Sequence, residues 1–136
     1  MIRFVVYGLP GPQGSKRHVG GGRMIESSSK VKPWREAVKA AALEAYGGDP
    51  LDCPVRLALT FTLPKPASAP KTRTTYPMRM PDGSKLQRST EDAITDAGIW
   101  RDDARVVEWL GAKRYPNEGH NALDRPGCVI EITPIT

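Results

Sequence analysis

Six carboxylates fall within MPDGSKLQRSTEDAITDAGIWRDD, residues 80–103: Asp82, Glu91, Asp92, Asp96, Asp102 and Asp103. Grouped carboxylate oxygens suit a hard divalent cation such as Mg²⁺, which keeps positions for water and phosphate. The same residues also fit a solvated charge ladder, because Arg88, Asp92 and Asp96 are spaced four apart, a distance at which helical side chains pair. Position divides the acids. Glu91, Asp92 and Asp96 lie inside a predicted helix over 84–97, where Glu91 and Asp96 read as surface and Asp92 as surface or a brace for a basic side chain. Asp82, Asp102 and Asp103 fall just outside that helix, at loop ends that rigid elements can bring together. Spacing alone does not decide between a metal group and a solvated surface.

Charge surrounds this focus unevenly. Residues 82–103 hold six acids against Lys85, Arg88 and Arg101, while the rest of the chain carries 17 basic and 9 acidic residues. A basic body with one acidic focus suits an enzyme that holds a polyanion and cuts it with bound cations. Two stretches are basic and free of acid. LPGPQGSKRHVGGGR contains Lys16, Arg17 and Arg23, and PKPASAPKTRTTYPMRM contains Lys71, Arg73 and Arg79. With Lys85, these are the candidate phosphate contacts.

The elements that must position these groups follow from periodicity. IRFVVYG alternates as a strand, and the basic loop after it predicts a short hairpin arm ending in RMIES. Residues 27–48 predict a helix, with Pro33 in its first turn and Trp34, Val38, Ala41, Ala42 and Ala45 inward. PVRLALTFTL places five apolar residues on one face of a strand. The 84–97 helix turns Leu86, Thr90, Ala93, Ile94 and Ala97 inward and stops at Gly98. ARVVEWLGAKRYP and GCVIEITPI predict two final strands. The fold class is α+β: one domain over residues 1–136, with a mixed sheet of about four to five strands and two helices packed on one face.

Other features narrow the function. No run approaches the roughly 18 apolar residues of a membrane span, and the N-terminus reads as a mature strand without a basic leader. Cys53 and Cys128 lack metal-ligand spacing and predict buried thiols in a reducing cytoplasm. His18 and His120 read as loop residues, and Trp34, Trp100 and Trp109 as core or dimer contacts.

PDGSKLQRSTEDAITDAGIWRDDARVV resembles the signature of the RusA family of Holliday junction resolvases, with phage-encoded members most similar. That pattern runs D-x-D-N/K-L-x-K/R, then D-A-L, then a glycine and D-D-x-Q/R-V. Asp82, Leu86, Arg88, Asp92-Ala93-Ile94, Gly98, Trp100, Asp102-Asp103 and Val106 fall on it without gaps, and GPQGSKR after the first strand fits as well. The resemblance implies a RusA-like homodimer that nicks two opposed strands of a four-way DNA junction with Mg²⁺, or Mn²⁺ as substitute, and needs no small-molecule cofactor. It also implies that Asp82 and Asp103 are metal ligands, that Asp102 is a ligand or a residue bonded to one, and that Arg88 is the functional basic residue. By itself Arg88 could hold a phosphate or pair with Asp92.

Ser84 departs from the pattern, which has an aspartate there. Its hydroxyl is a neutral, weaker ligand, and Ser84-Lys85-Leu86-Gln87 fits a capping box that would close the helix. A low-activity natural protein, compensation by Asp102 or Glu91, and an engineered inactive variant all remain open. Two rival functions follow: a junction-binding protein with little nuclease activity, and a basic domain whose acidic focus engages a protein.

Overall fold

Alternation of apolar residues builds the sheet as expected. In the computed structural model, which describes residues 1–14, 16–19, 23–26 and 29–136 (the two short segments by backbone alone), strand β1 is Ile2–Tyr7. The basic loop then forms an antiparallel hairpin of β2 (Lys16–Val19) and β3 (Arg23–Glu26). Helix α1 (Val31–Ala45), β4 (Val55–Thr62), α2 (Gly83–Asp96), a 3-10 turn (Asp103–Arg105), β5 (Val106–Arg114) and β6 (Gly127–Pro134) follow. Among the described residues, the main sheet has four strands in the order β1-β6-β4-β5. β6 runs antiparallel to β1 and β4, while β5 runs parallel to β4, a connection that needs a crossover and obtains it from α2. This is the expected α+β fold with a mixed sheet.

Register carries the core across the strands. Phe4, Ile130 and Leu59 form one row, and Val6, Cys128 and Phe61 the next; all six are buried. Trp34, Val38 and Ala42 of α1 and Leu86, Ala93 and Ile94 of α2 close over this face. The Trp34 indole lies 6.4 Å from the Phe61 ring. Its N–H donates to Thr90 Oγ1 at 3.1 Å, and the Thr90 hydroxyl donates to the Leu86 carbonyl at 2.7 Å. That chain satisfies the one polar atom the indole brings into the core.

The helices differ from expectation at their ends. α1 begins at Val31 with Lys30 in the cap position and no side-chain cap; Ser27 and Ser28 lie outside the described residues. Ala45 is exposed because the next residue, Tyr46, is already extended. α2 stops where Gly98 takes φ +76°, as its glycine predicted.

The basic stretches are fastened to the body, the first through Gly11 and Gln13 and the second through Lys65, Thr75 and Arg79. Gly11 lies so close to α1 that a Cβ there would come within 2.2 Å of the Lys30 carbonyl oxygen. Ser89 Oγ donates to the Gly11 carbonyl at 2.6 Å, and the Gln13 N–H donates to the Lys85 carbonyl at 3.0 Å. The β2–β3 hairpin therefore leaves the body beside the first turns of α2. In residues 64–80, Lys65 pairs with Glu118, which also accepts the Thr75 N–H at 2.8 Å. The Lys65 bond, and then that of Thr75, hold the Glu118 carboxyl below its ordinary range. Among the described residues no helix is long and apolar enough to cross a membrane.

Candidate active site and nucleic-acid interface

The period of α2 separates a core face from an acid-bearing face. Leu86, Ser89, Thr90, Ala93 and Ile94 are buried, so Ser84, Arg88, Glu91 and Asp92 share the outer side. Ser84 is exposed and is the second helical residue. The capping box expected from Ser84 and Gln87 is not formed. Gly83 already adopts helical geometry, which moves the cap position to Asp82 and leaves Ser84 too far along to close the end. Gln87 instead hydrogen-bonds Glu91.

Asp82 sits at that cap with extended dihedrals (φ −68°, ψ 135°) and makes no side-chain cap bond. Its carbonyl accepts the Leu86 N–H at 3.1 Å, and its carboxylate lies 4.0 Å from the Lys85 ammonium. The chain delivering it is fixed from β5, where the Lys113 ammonium donates to the carbonyls of Arg79 and Pro81, both at 3.0 Å.

The two adjacent aspartates are used differently. Asp102 Oδ1 accepts the Ala104 N–H at 3.0 Å, and Oδ2 accepts from Arg105 at 3.0 Å, so both oxygens hold the 3-10 turn. Asp103 makes no hydrogen bond or ion pair with its carboxylate among the described residues. Arg105 also donates to Asp52, as does Arg101 at 3.1 Å. Those bonds, Arg105 first, hold the Asp52 carboxyl below its ordinary range. Leu51 bridges Trp100 and exchanges backbone bonds with Ile99 and Arg101 at 2.9 and 3.1 Å. The Leu51–Asp52 segment thus anchors the whole approach to Asp103.

Asp103 stands within electrostatic reach of the outer face of α2. Burial pushes the Glu91 carboxyl up; the Gln87 hydrogen bond opposes this, and the charges of Asp103 and Asp92 add to the rise. Burial likewise raises Asp92, with Arg35 and Arg88 opposing and Asp103 and Asp96 contributing. Asp96 pairs with Arg35 at 2.8 Å, which gives it the surface role expected. Arg88 is exposed and forms no ion pair among the described residues, so pairing with Asp92 does not occupy its guanidinium.

Asp82 lies at the start of α2, nine residues before Glu91, or about 14 Å along the axis at 1.5 Å per residue. Among the described residues, no three His, Cys, Asp or Glu side chains gather into a metal-holding group. The donors nonetheless suit a hard cation completed by water and phosphate. The Asp103 oxygens are uncommitted, and its charge already weakens the acidity of Glu91 and Asp92, a strain that a cation would relieve.

A cleft of about 720 Å³ opens beside Asp82 and is edged by Lys30, Arg79 and Lys85, with Tyr115 and Leu63 in its wall. Lys71, Arg73 and Arg79 are exposed on the flanking loop. Lys16, Arg17 and Arg23 lie on the β2–β3 hairpin, their side chains outside the described residues, as is that of His18. His120 is an exposed loop residue.

The site is thus an α+β domain's cleft edged by cations and by Asp82, with Asp103 standing apart near the outer face of α2. Residues 8–133 match the family model Endodeoxyribonuclease RusA, and the chain belongs to that family. No curated protein matches it. Membership implies a nuclease of the Holliday junction resolvase type that binds branched DNA and is generally divalent-metal dependent.

Sequence reasoning missed Asp52, Lys113 and Glu118 as positioning residues. Each is a single charge with no periodic pattern, and each finds its partners across more than 30 residues of chain.

Proposed function

We propose that this protein is a Mg²⁺-dependent endodeoxyribonuclease that acts as a homodimer, nicking opposed strands of a four-way DNA junction in recombination and repair, in the cytoplasm. The observation that carries it is the Asp103 carboxylate, uncommitted among the described residues and close enough to Glu91 and Asp92 to raise both, while its neighbour Asp102 holds the turn. Asp103 would hold the cation, with Glu91 able to supply a carboxylate near it that Ser84 does not supply, while Asp82, about 14 Å from Glu91 along the α2 axis, lines the cleft. When bound, such an ion activates water and neutralises charge on the phosphoryl oxygens.

The chain's own residues do the rest. Arg88 grips a non-bridging phosphate oxygen with a fork that needs no competing carboxylate. Asp102 and Arg105 fix the direction from which Asp103 meets the backbone. Lys113 fixes the chain that delivers Asp82 by holding the Arg79 and Pro81 carbonyls. The hairpin and the 64–80 loop hold flanking phosphates, which suits a substrate recognised by shape and charge rather than base sequence.

A second reading has its own support: among the described residues no three-acid group forms, and the neutral, exposed Ser84 stands where an aspartate was expected, which favours a junction-binding protein with weak or no cleavage. Incubating a labelled junction with the protein and with Ser84→Asp, in Mg²⁺ or EDTA, separates the two. Paired nicks by the unaltered chain support the nuclease. Binding with cleavage only in Ser84→Asp supports the silent binder.

A further inference from the structure

The cleft beside Asp82 pairs apolar walls with a cationic rim. Leu63, Pro77 and Tyr115 line it and are buried, whereas Lys30 and Arg79 are exposed at its edge and Lys85 is half-buried. Bonds within the chain set these walls. The Leu63 N–H donates to the Arg114 carbonyl at 2.8 Å, and the Gln13 N–H to the Lys85 carbonyl at 3.0 Å. The Lys113 ammonium holds the Arg79 and Pro81 carbonyls. A cleft fixed in this way loses little freedom when it is filled.

Size and chemistry restrict the occupant. At about 720 Å³ the space falls within the roughly 300–1,000 Å³ of sites that enclose a small molecule, so it admits a single nucleotide and not a double helix. The rim cations call for a phosphate chain. The apolar walls call for a surface that duplex DNA keeps hidden, because the base faces are its large apolar area and stacking covers them. Stacking is broken where strands exchange in a four-way junction, and a base already released from its neighbours costs least to displace.

We propose that the cleft receives one nucleobase displaced from its stack at the exchange point of the junction. Its ring lies against Leu63, Pro77 and Tyr115, and the phosphates on either side of it lie on Arg79, Lys85 and Lys30. This role rests on the junction reading and supplies what charge alone does not. Basic side chains hold the phosphates of any duplex, whereas a cleft for a base engages DNA only where stacking is interrupted. The cleft is thereby the feature that separates a junction from linear DNA.

2-Aminopurine, whose fluorescence is quenched by stacking, is placed at the exchange point of a synthetic junction or within one arm, and titrated with the protein in EDTA. The exchange-point probe should brighten severalfold, and the arm probe should not. Leu9, 42% exposed, also lines the cleft. Leu9→Trp sets an indole into that space and should remove the brightening and weaken junction binding about tenfold, with an unchanged far-UV circular dichroism spectrum. In the native chain, 5-iodouracil at the exchange point should photo-cross-link to cleft residues, located by mass spectrometry. Tighter binding to junction than to duplex without brightening, brightening that survives in a folded Leu9→Trp, or a cross-link outside the cleft refutes the base cleft alone. A cleft cross-link to iodouracil in a single strand, with no preference for junction over duplex, refutes the junction reading and leaves the base cleft standing. Neither preference nor cross-link refutes both.

Discussion

Arg105 donates to Asp102 at 3.0 Å, and that bond separates two adjacent aspartates into different roles. Asp102, also accepting from Ala104, shapes the turn. Asp103 is left with an uncommitted carboxylate at the end of a segment braced by Asp52. An outer partner of this kind commonly changes metal affinity or activity by about 10- to 100-fold when lost.

The pair therefore gives a graded prediction. Asp103→Asn should lower junction cleavage by about a hundredfold or more, with junction affinity unchanged or tighter because a charge repelling phosphate is gone. Asp102→Asn keeps an oxygen for the Ala104 N–H and should cost about tenfold. Single-turnover cleavage alongside anisotropy titrations reads both. Equal losses of binding and cleavage in Asp103→Asn would assign it a structural role.

Asp52 predicts a pH dependence with a definite sign. Arg105 and Arg101 lower its folded-state pKa, so its contribution is present above the unfolded carboxylate value of about 3.9. That contribution is lost as pH falls through the lower, folded value. The stability difference between the native chain and Asp52→Asn should be constant from neutral pH down to about 4 and shrink below it. Thermal melts across that range check this, and a gap that widens on acidification would contradict it.

Thr90 links the Trp34 indole to α2 inside the core. Thr90→Val preserves volume but strands the indole N–H, at a cost of about 1–3 kcal/mol. Urea unfolding should show a lower midpoint at unchanged slope.

Lys71, Arg73 and Arg79 are exposed on the fastened 64–80 loop. If each meets a phosphate, replacing all three by alanine should reduce the slope of log affinity against log salt by about 2–3. Anisotropy on a four-way junction at several salt concentrations measures it. An unchanged slope would place the DNA elsewhere.

Much of the fold was legible because it rests on short periods. The alternation in β4 and the apolar stripes of α1 and α2 show in local spacing, and the core rows follow from them. The 82–103 segment could be located for the same reason, since its acids fall on one helix and its flanks. Ser84 was misjudged as a cap because glycine gives no sign of whether it will join a helix, and Gly83 does. Asp102 and Asp103 are chemically identical in sequence; only the neighbouring Ala104 N–H and Arg105 distinguish them. Asp52, Lys113 and Glu118 act through contacts that exist only after the sheet has brought distant loops together.

The most direct test of the central claim is cleavage of an end-labelled synthetic four-way junction by the unaltered protein. The nuclease account predicts paired nicks on opposed strands in Mg²⁺, none in EDTA, none with Asp103→Asn, and preference over linear duplex of the same sequence. Binding no tighter than to linear duplex, with no cleavage in Mg²⁺ or Mn²⁺, would contradict it.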